Sequence, residues 1–408
     1  MRHRVRNRGV VFISLLVTML CIALTAFAFS LHASASSSVA SSSISYNSIT
    51  SYRHRKPAPG ITPTTTRRPK PTPTTAITST PTPGITPTTG VTPTPTTGTT
   101  PTPLPQIVRV FVEPDVGEQV ILDAINGAQK SIWLEMYLLT DKNIIQALEN
   151  AAGRHLDVRV MLEPHPYGGG SPQSTLDALQ AAGASVEDTS PAFTLTHEKG
   201  MIIDGNTAFI MTCNFTYSAL NGKNREYGII DTTPQDVQGA IAIFNADWNR
   251  TSVQVTDPNL VVSPNNSRTM LTNLINSAKT SLILEEEEMQ DSSMEQALVN
   301  AAQRGVTVQV ILASPQSGSS NDPNGPGIAV LKAGGVQVKE DTQLIMHAKM
   351  IVVDGGSLAF VGSENISTYS LDNNRELGIL LTNAQIMSTL QQTFQSDWAV
   401  SQSMSWGY

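Results

Sequence analysis

The chain repeats itself at a displacement of 150 residues, and this duplication constrains its possible folds more than any other feature. Each copy contains the pattern H-x-K-x-x-x-x-D followed by glycine, and further along the patterns N-R-E and D-W. A period this long exceeds the units of solenoid repeats, which run to about 50 residues, and suffices for a domain with its own core. We therefore predict two related domains, residues 107–255 and 256–408. The matched residues are His197, Lys199, Asp204, Asn224, Arg225, Glu226, Asp247 and Trp248 in the first copy, and His347, Lys349, Asp354, Asn374, Arg375, Glu376, Asp397 and Trp398 in the second.

Each predicted domain alternates strands with helices, which is typical of an α/β fold. The strand after each H-x-K ends at Asp-Gly and is followed by a second apolar run, a pattern that predicts a hairpin. The predicted strands cover 131–139, 158–162, 281–284 and 307–312, and the predicted helices cover 143–153, 171–183, 294–304 and 327–334.

The histidine and the lysine of each motif are two residues apart, so on a strand both side chains project from the same face. An imidazole beside an ammonium is a poor structural choice but suits the binding of an oxyanion. The histidines and lysines of both copies are therefore candidate catalytic residues. The aspartates that close the motifs, Asp204 and Asp354, belong to the same candidate set, but we interpret them as fixing the hairpin turns rather than acting on substrate.

The first 106 residues differ in composition from the rest and are predicted to hold no folded domain. Four arginines precede an apolar stretch from Val10 to about Leu31, which is followed by A-S-A. This order is typical of an export signal, although the stretch is also long enough to remain as a membrane anchor. Residues 36–106 are rich in Ser, Thr and Pro and predict a disordered stalk. We expect residues 1–35 to leave the domains exported, either secreted or anchored to the outer face of the cytoplasmic membrane.

Charge separates the two parts of the chain. Residues 1–106 contain ten Lys or Arg and no Asp or Glu, so the remainder has 16 basic against 33 acidic residues, a formal net charge of −17. A domain pair this acidic lacks the broad basic surface that nucleic-acid binding normally needs, so we do not expect a nucleic-acid partner. Cys213 is the only cysteine after residue 106, and no disulfide can therefore form within the two domains.

The doubled motif resembles that of the phospholipase D superfamily, whose signature pairs H-x-K-x-x-x-x-D with a downstream Gly-Ser and Asn. The second copy matches this signature with Gly362-Ser363 and Asn365. The first copy retains Asn214 but carries Thr212-Cys213 where Gly-Ser is expected, so Thr212 or the region of Cys213 must substitute for the small hydroxyl pair. The resemblance covers everything after the stalk.

The resemblance implies two α/β sandwich domains related by a pseudo-twofold axis, with one active site at their interface. The chain would then be a monomer that contains an internal pseudo-dimer. One histidine, His197 by family analogy, attacks phosphorus to give a phosphohistidine, while His347 protonates the leaving alcohol and then activates water. The resemblance further implies phosphoryl-charge stabilisation by Lys199 and Lys349, substrate binding by Asn214, Asn365 and Ser363, and orientation of each histidine by the glutamate 29 residues after it, Glu226 or Glu376.

No metal or other cofactor is implied, because the histidines lie next to lysines and no acidic or thiolate cluster accompanies them. The run Glu285–Glu288 is interpreted as a solvated or rim cluster, since Glu285 is the counterpart of Glu135 at a strand end. Arg225 and Arg375, which precede the motif glutamates, are interpreted as structural residues.

Three hypotheses about function follow. The first, which the export signal and the acidic domains favour, is a phospholipase D-type phosphodiesterase that hydrolyses phospholipids at a membrane surface. Phosphatidyl transfer of the cardiolipin-synthase kind belongs to the same class and stays open as an alternative. The second hypothesis is an exported nuclease of the superfamily, which the net charge opposes. The third is a domain pair that only binds its ligand, which the intact motifs oppose.

Overall fold

The computed structural model describes residues 107–315 and 322–403. The predicted signal or anchor (1–35) and the predicted stalk (36–106) lie outside these residues. In the part of the chain that the structure describes, none of the helices has the length and apolar character that spanning a bilayer requires.

The first half of the described chain is built on one mixed sheet. Its seven strands are β1 (Val108–Glu113), β2 (Ser131–Met136), β3 (Asp157–Leu162), β4 (Ser185–Asp188), β5 (Lys199–Ile203), β6 (Thr207–Met211) and β7 (Asn224–Asp231). They lie in the order β1-β7-β6-β5-β2-β3-β4, with β2, β3 and β4 parallel and the remaining neighbours antiparallel. The motif strand β5 is therefore central, and all five of its residues are buried.

Helices cover both faces of this sheet. They are α1 (Gln119–Gly127), α2 (Lys142–Gly153), α3 (Gln173–Ala182) and α4 (Pro234–Trp248), with a short π-helical turn at Ser218–Gly222. Side chains alternate along β5, so Met201 and Ile203 pack in the core under α1, α2 and α3, whereas Ile202 packs with α4 on the opposite face. This is the sandwich arrangement that the alternation of strands and helices predicts.

The second half repeats the arrangement. Its main sheet follows the order β18-β12-β11-β9-β14-β15-β17-β8. These strands are β8 (Leu260–Ser263), β9 (Ser281–Glu286), β11 (Thr307–Leu312), β12 (Gln337–Glu340), β14 (Lys349–Val353), β15 (Leu358–Gly362), β17 (Glu376–Leu381) and β18 (Gln402–Ser403). Two short strands, β10 (Met289–Gln290) and β16 (Ile366–Ser367), form a separate pair, and β13 (Ile345–Met346) joins the first sheet. The helices are α5 (Ser267–Ser277), α6 (Ser292–Gln303), α7 (Gly325–Ala333), α8 (Thr368–Asp372) and α9 (Ala384–Val400).

Matching sequence features start the corresponding helices α2 and α6. Asp141 precedes α2 and accepts hydrogen bonds from the backbone N–H groups of Asn143 and Ile144. Asp291, its counterpart at a displacement of 150 residues, caps α6 in the same way. Such caps satisfy N–H groups that have no partner inside the helix, and each contributes about 1 kcal/mol.

The two halves share one apolar interface. A buried cluster joins Val112, Ile210 and Ile229 of the first half to residues of the second half such as Leu260 and Val361. Because this cluster is continuous with both sheets, the halves form one packed body rather than two domains joined by a linker.

The predicted fold class, two α/β sandwich domains, is confirmed, and so are both Asp-Gly hairpins. The predicted helices and strands are all present, with ends that differ by a few residues. The interpretation of Glu285–Glu288 as a solvated cluster is wrong for its first two members. Glu285 and Glu286 are fully buried because they lie in β9, a central strand covered on both faces.

Candidate active site

The two motif histidines lie at the interface between the halves, and each is paired with the glutamate of the opposite half. His197 Nδ1 lies 3.0 Å from Glu376 Oε2, and His347 Nδ1 lies 2.7 Å from Glu226 Oε1. Both glutamates are fully buried, whereas the side chains of His197 and His347 keep 13% and 16% of their surface exposed. The expectation that each glutamate orients the histidine of its own copy is therefore wrong.

Backbone hydrogen bonds across the interface explain this crossing. The N–H of His197 donates to the carbonyl of Arg375 at 2.8 Å, and the N–H of His347 donates to the carbonyl of Arg225 at 3.3 Å. Each motif therefore begins beside the N-R-E segment of the other half. The glutamate that follows this arginine in the N-R-E segment therefore lies against the imidazole of the histidine from the other half.

The crossed arginines hold the same interface through buried ion pairs. Arg225 binds Asp397 with two hydrogen bonds of 2.6 and 3.0 Å, and Arg375 lies against Asp247 with atom pairs at 2.8 and 3.1 Å. Both arginines are almost fully buried. The structure thus gives Arg225 and Arg375 the structural role that the sequence suggested, and it explains why the D-W pattern is duplicated.

The motif lysines are buried beneath the histidines, and each is tied back to its own motif. Lys199 Nζ donates to the carbonyl of His197 at 2.6 Å, and Lys349 Nζ donates to the carbonyl of His347 at 2.8 Å. When protonated, an ammonium group held in this way places a positive charge beside each imidazole, as stabilisation of a developing phosphoryl charge requires.

The two lysines differ in their electrostatic surroundings. Burial, partly offset by Glu376 and reinforced by the charge of Lys349, lowers the pKa of Lys199 to about 7. Burial also acts on Lys349, but the neighbouring carboxylates of Glu287 and Glu226 outweigh it and raise the pKa of Lys349 above the ordinary value. Burial lowers the pKa of His197 against the opposing effect of Glu376, which favours a neutral ring with a lone pair available.

The predicted amide and hydroxyl groups lie behind the catalytic pairs. Ser363 Oγ accepts a hydrogen bond from the backbone N–H of Leu377, and Thr212 Oγ1 accepts one from Tyr227 in the first half. Thr212 also donates to Glu226 at 2.6 Å. Thr212 thus takes the place of the motif serine, while Cys213 is fully buried.

The two motif asparagines remain nearly buried, with exposed fractions of 7% for Asn214 and 5% for Asn365. Of the two, Asn365 has a described contact to another site residue, since its Nδ2 lies 3.5 Å from Glu287 Oε2. Their assignment as substrate-binding residues stays a prediction.

Asp204 and Asp354 are the candidates that the structure does not bring to this site. Each stands at the far end of its motif strand, five residues or roughly 17 Å beyond the motif lysine. The Asp204 carboxylate accepts hydrogen bonds from the backbone N–H groups of residues 129–131, and Asp354 binds those of residues 279–281. Both adopt left-handed backbone conformations, with φ of 54° and 49°. They fix the hairpins, as the sequence predicts, and lie outside the group of side chains around the paired histidines.

Sequence reasoning missed two residues that contact the histidines. The rings of Tyr137 and His197 make a T-shaped contact with 4.7 Å between their centroids. Glu287, its counterpart 150 residues later, lies 2.7 Å from Lys349 Nζ and 3.4 Å from His347 Nε2. The one sequence feature that marks these positions is their mismatch, because corresponding positions carry tyrosine in the first copy and glutamate in the second.

Within the described residues, three buried carboxylates lie close enough to hold a metal ion. Glu135, Glu198 and Asp247 offer oxygen atoms within 4.8 Å of one another. Asp247 already pairs with Arg375. Burial raises the pKa of Glu198 to about 8, so protonation and the guanidinium together can balance the charge of this cluster. Glu198 is the middle residue of the first H-x-K motif, but the cluster includes neither His197 nor Lys199.

A family model described as "Cardiolipin synthase, PLD-like domain" matches the chain twice, over residues 121–248 and 271–398. The two matches coincide with the two halves that meet at the paired histidines. The chain therefore belongs to the phospholipase D superfamily, and within it to this family of cardiolipin-synthase-like domains.

Individual proteins agree with this placement. The cardiolipin synthase of Clostridium perfringens (strain SM101 / Type A) is 26% identical over 326 residues, which cover 68% of this chain and 67% of the relative. The phosphatidylserine synthase of Haemophilus influenzae superposes with a TM-score of 0.54 at 13% identity, over 72% of this chain and 87% of that one. The polyphosphate kinase of Porphyromonas gingivalis superposes with a TM-score of 0.58 at 15% identity, over 72% of this chain and 47% of that one. At these identities the two structures show a shared fold alone.

Proposed function

We propose that the chain is a phosphatidyltransferase, which moves a phosphatidyl group from one phospholipid to an alcohol through a phosphohistidine intermediate. The observation that carries the proposal is the pair of crossed histidine–glutamate contacts above two buried lysines. The family and the named relatives favour transfer over the hydrolysis that the sequence analysis placed first.

In the first step, Nε2 of His197 attacks phosphorus, and the bond from phosphorus to the leaving alcohol breaks. His347 gives a proton to the oxygen of that alcohol, so the alcohol leaves neutral. The crossed carboxylates of Glu376 and Glu226 orient both rings through Nδ1 and stabilise the positive charge on each ring in turn.

In the second step, an acceptor hydroxyl attacks the phosphohistidine while the now neutral ring of His347 takes its proton. The phosphorus–nitrogen bond breaks and His197 is restored. Water in place of the alcohol would give hydrolysis by the same route, so the acceptor alone distinguishes the two reactions. The limited exposure of both imidazoles, 13% and 16%, supports an acceptor delivered by a lipid over bulk water.

The test is a product analysis with the full-length protein and its His347→Ala variant. Vesicles of phosphatidylglycerol should yield cardiolipin and glycerol, whereas vesicles of phosphatidylcholine alone should yield little free choline.

Activity should persist in excess EDTA, because the buried lysines already supply positive charge. Predominant release of phosphatidic acid would favour the hydrolase, and faster cleavage of single-stranded DNA would favour the nuclease. His347→Ala should lower turnover by several orders of magnitude.

We further propose that the enzyme acts at a membrane surface outside the cytoplasm. The proposal is supported by the arginine-rich apolar start and the Ser/Thr/Pro-rich segment of residues 1–106. A location at a membrane surface is consistent with phospholipid as the substrate.

A further inference from the structure

The second motif of the protein holds a carboxylate where a substrate phosphate would bind. Glu287 Oε2 lies 2.7 Å from Lys349 Nζ, 3.4 Å from His347 Nε2 and 3.5 Å from Asn365 Nδ2. A single oxygen thus meets the lysine, the histidine and the amide of one motif copy. These are the three donor types that a phosphoryl oxygen requires.

The first motif has no such internal ligand among the described residues. In the first half, the counterpart of Glu287 is Tyr137, whose ring makes a T-shaped contact with that of His197 and has Lys199 Nζ 5.2 Å from its centroid. The histidine, the lysine and the asparagine are present in both halves. One substitution between the copies therefore makes the substrate-free site asymmetric.

A phosphodiester and the Glu287 carboxylate cannot occupy the same donors together, because both are anions and each needs the Lys349 ammonium. Glu287 also keeps about a third of its side chain exposed, 31%, unlike the fully buried Glu226 and Glu376. A side chain at the open side of the site can rotate away without unfolding a strand, since Glu287 follows the end of β9.

We propose that Glu287 is a resident anion of the phosphoryl site, which holds the second motif in the absence of substrate and must be displaced by the incoming phosphodiester. The inference rests on the proposed phosphatidyl-transfer site. It makes Glu287 a specificity residue, because only ligands that replace a carboxylate on Lys349 and His347 can enter.

Glu287 also distinguishes the two histidines. In the substrate-free state both ring nitrogens of His347 face carboxylates, Glu226 at Nδ1 and Glu287 at Nε2. These two contacts hold the ring from both sides, so each of its nitrogens has a described carboxylate partner. Among the described contacts, His197 has one carboxylate, Glu376 at Nδ1, and Nε2 is the nitrogen that attacks phosphorus in the proposed mechanism.

The test measures binding of inorganic phosphate by calorimetry to the full-length protein in detergent micelles. Glu287→Gln keeps the shape of the side chain but removes its charge, and should bind phosphate about tenfold more tightly than the parent chain. Glu287→Tyr, which introduces the residue of the first half, should also bind more tightly. Glu288→Gln is the matched control. The described hydrogen bonds and ion pairs of Lys349 do not include Glu288, which acts on Lys349 through its charge alone, so phosphate affinity should stay within about twofold.

The location of the anion is checked by adding Lys349→Ala to the Glu287→Gln chain, which should abolish the gain. Phosphate affinity that is unchanged or weaker in Glu287→Gln would overturn the proposal. So would a gain that survives loss of Lys349. Because phosphate binding is measured without lipid turnover, these outcomes are independent of whether the enzyme transfers or hydrolyses.

Discussion

The two copies of the motif contain the same histidine and lysine in different electrostatic surroundings. Lys199 packs against Tyr137, whereas Lys349 binds Glu287. The pKa of Lys199 is lowered to about 7 chiefly by burial, while carboxylates raise that of Lys349 above the ordinary value. Lys199 therefore loses its positive charge near neutral pH, whereas Lys349 keeps its charge.

This difference predicts an alkaline limb in the pH profile of kcat/KM. Lys199 is an ammonium below about pH 7 and becomes neutral above it, so kcat/KM should fall as pH rises through that value. Lys199→Arg should move the limb upward by more than about one pH unit, because guanidinium stays protonated. Lys349→Arg is the control and should leave the limb near pH 7. A limb that stays at pH 7 in Lys199→Arg would assign it to another group.

The sequence alone identified most side chains of the site, because the spacing H-x-K is repeated and each copy is followed by an asparagine. It did not identify Glu287, because one glutamate within Glu285–Glu288 has no pattern that separates it from its neighbours. The burial of Glu285 and Glu286 and the position of Glu287 depend on where β9 ends beside Lys349. That end is fixed by packing rather than by local propensity.

At the scale of secondary structure, the motif strands and their hairpins could be predicted because Asp-Gly and two apolar runs are local signals. The crossed contacts could not be predicted. Glu226 and Glu376 each lie 29 residues after a histidine. This spacing does not show whether a glutamate contacts the histidine of its own copy or that of the other copy. The segment before each histidine pairs with the N-R-E segment of the opposite half, and this contact determines which glutamate the histidine meets.

The hairpin aspartates lead to a prediction about stability. Asp354 accepts hydrogen bonds from three consecutive backbone N–H groups and stands at φ 49°. Asp354→Ala should lower the free energy of unfolding by about 1–3 kcal/mol, because it removes these bonds and places alanine in a left-handed conformation. Asp354→Asn should cost less, since asparagine keeps an acceptor and tolerates that conformation. Urea denaturation measures both changes.

Burial raises the pKa of Asp354, but the backbone hydrogen bonds from residues 279–281 together outweigh it and hold the pKa at about 2. Because the folded-state pKa is depressed, this stabilisation is present above the unfolded pKa of about 3.9 and is lost as pH falls toward 2. The folded fraction of Asp354→Ala should keep kcat within about threefold of the parent chain at neutral pH. A larger loss of kcat with normal stability would return Asp354 to the catalytic set.

At the scale of the whole molecule, the duplication predicted two similar halves and one shared site, and the structure adds how they are joined. Arg225–Asp397 and Arg375–Asp247 are buried ion pairs between the halves, and the histidine–glutamate pairs lie beside them. Each half therefore supplies part of the other half's catalytic pair. A buried charge whose partner is removed is costly, so neither half can keep this arrangement alone.

An internal pseudo-dimer of this kind predicts that one chain contains the complete site. Full-length His197→Ala and His347→Ala should each be inactive and should stay inactive when mixed at equal concentrations, because each chain still lacks one histidine at the interface between its halves. Activity of the parent chain should also be proportional to its concentration in mixed micelles. If the mixture instead recovered about a quarter of the parent activity, the halves would be exchanging between chains, and the active unit would be a domain-swapped dimer.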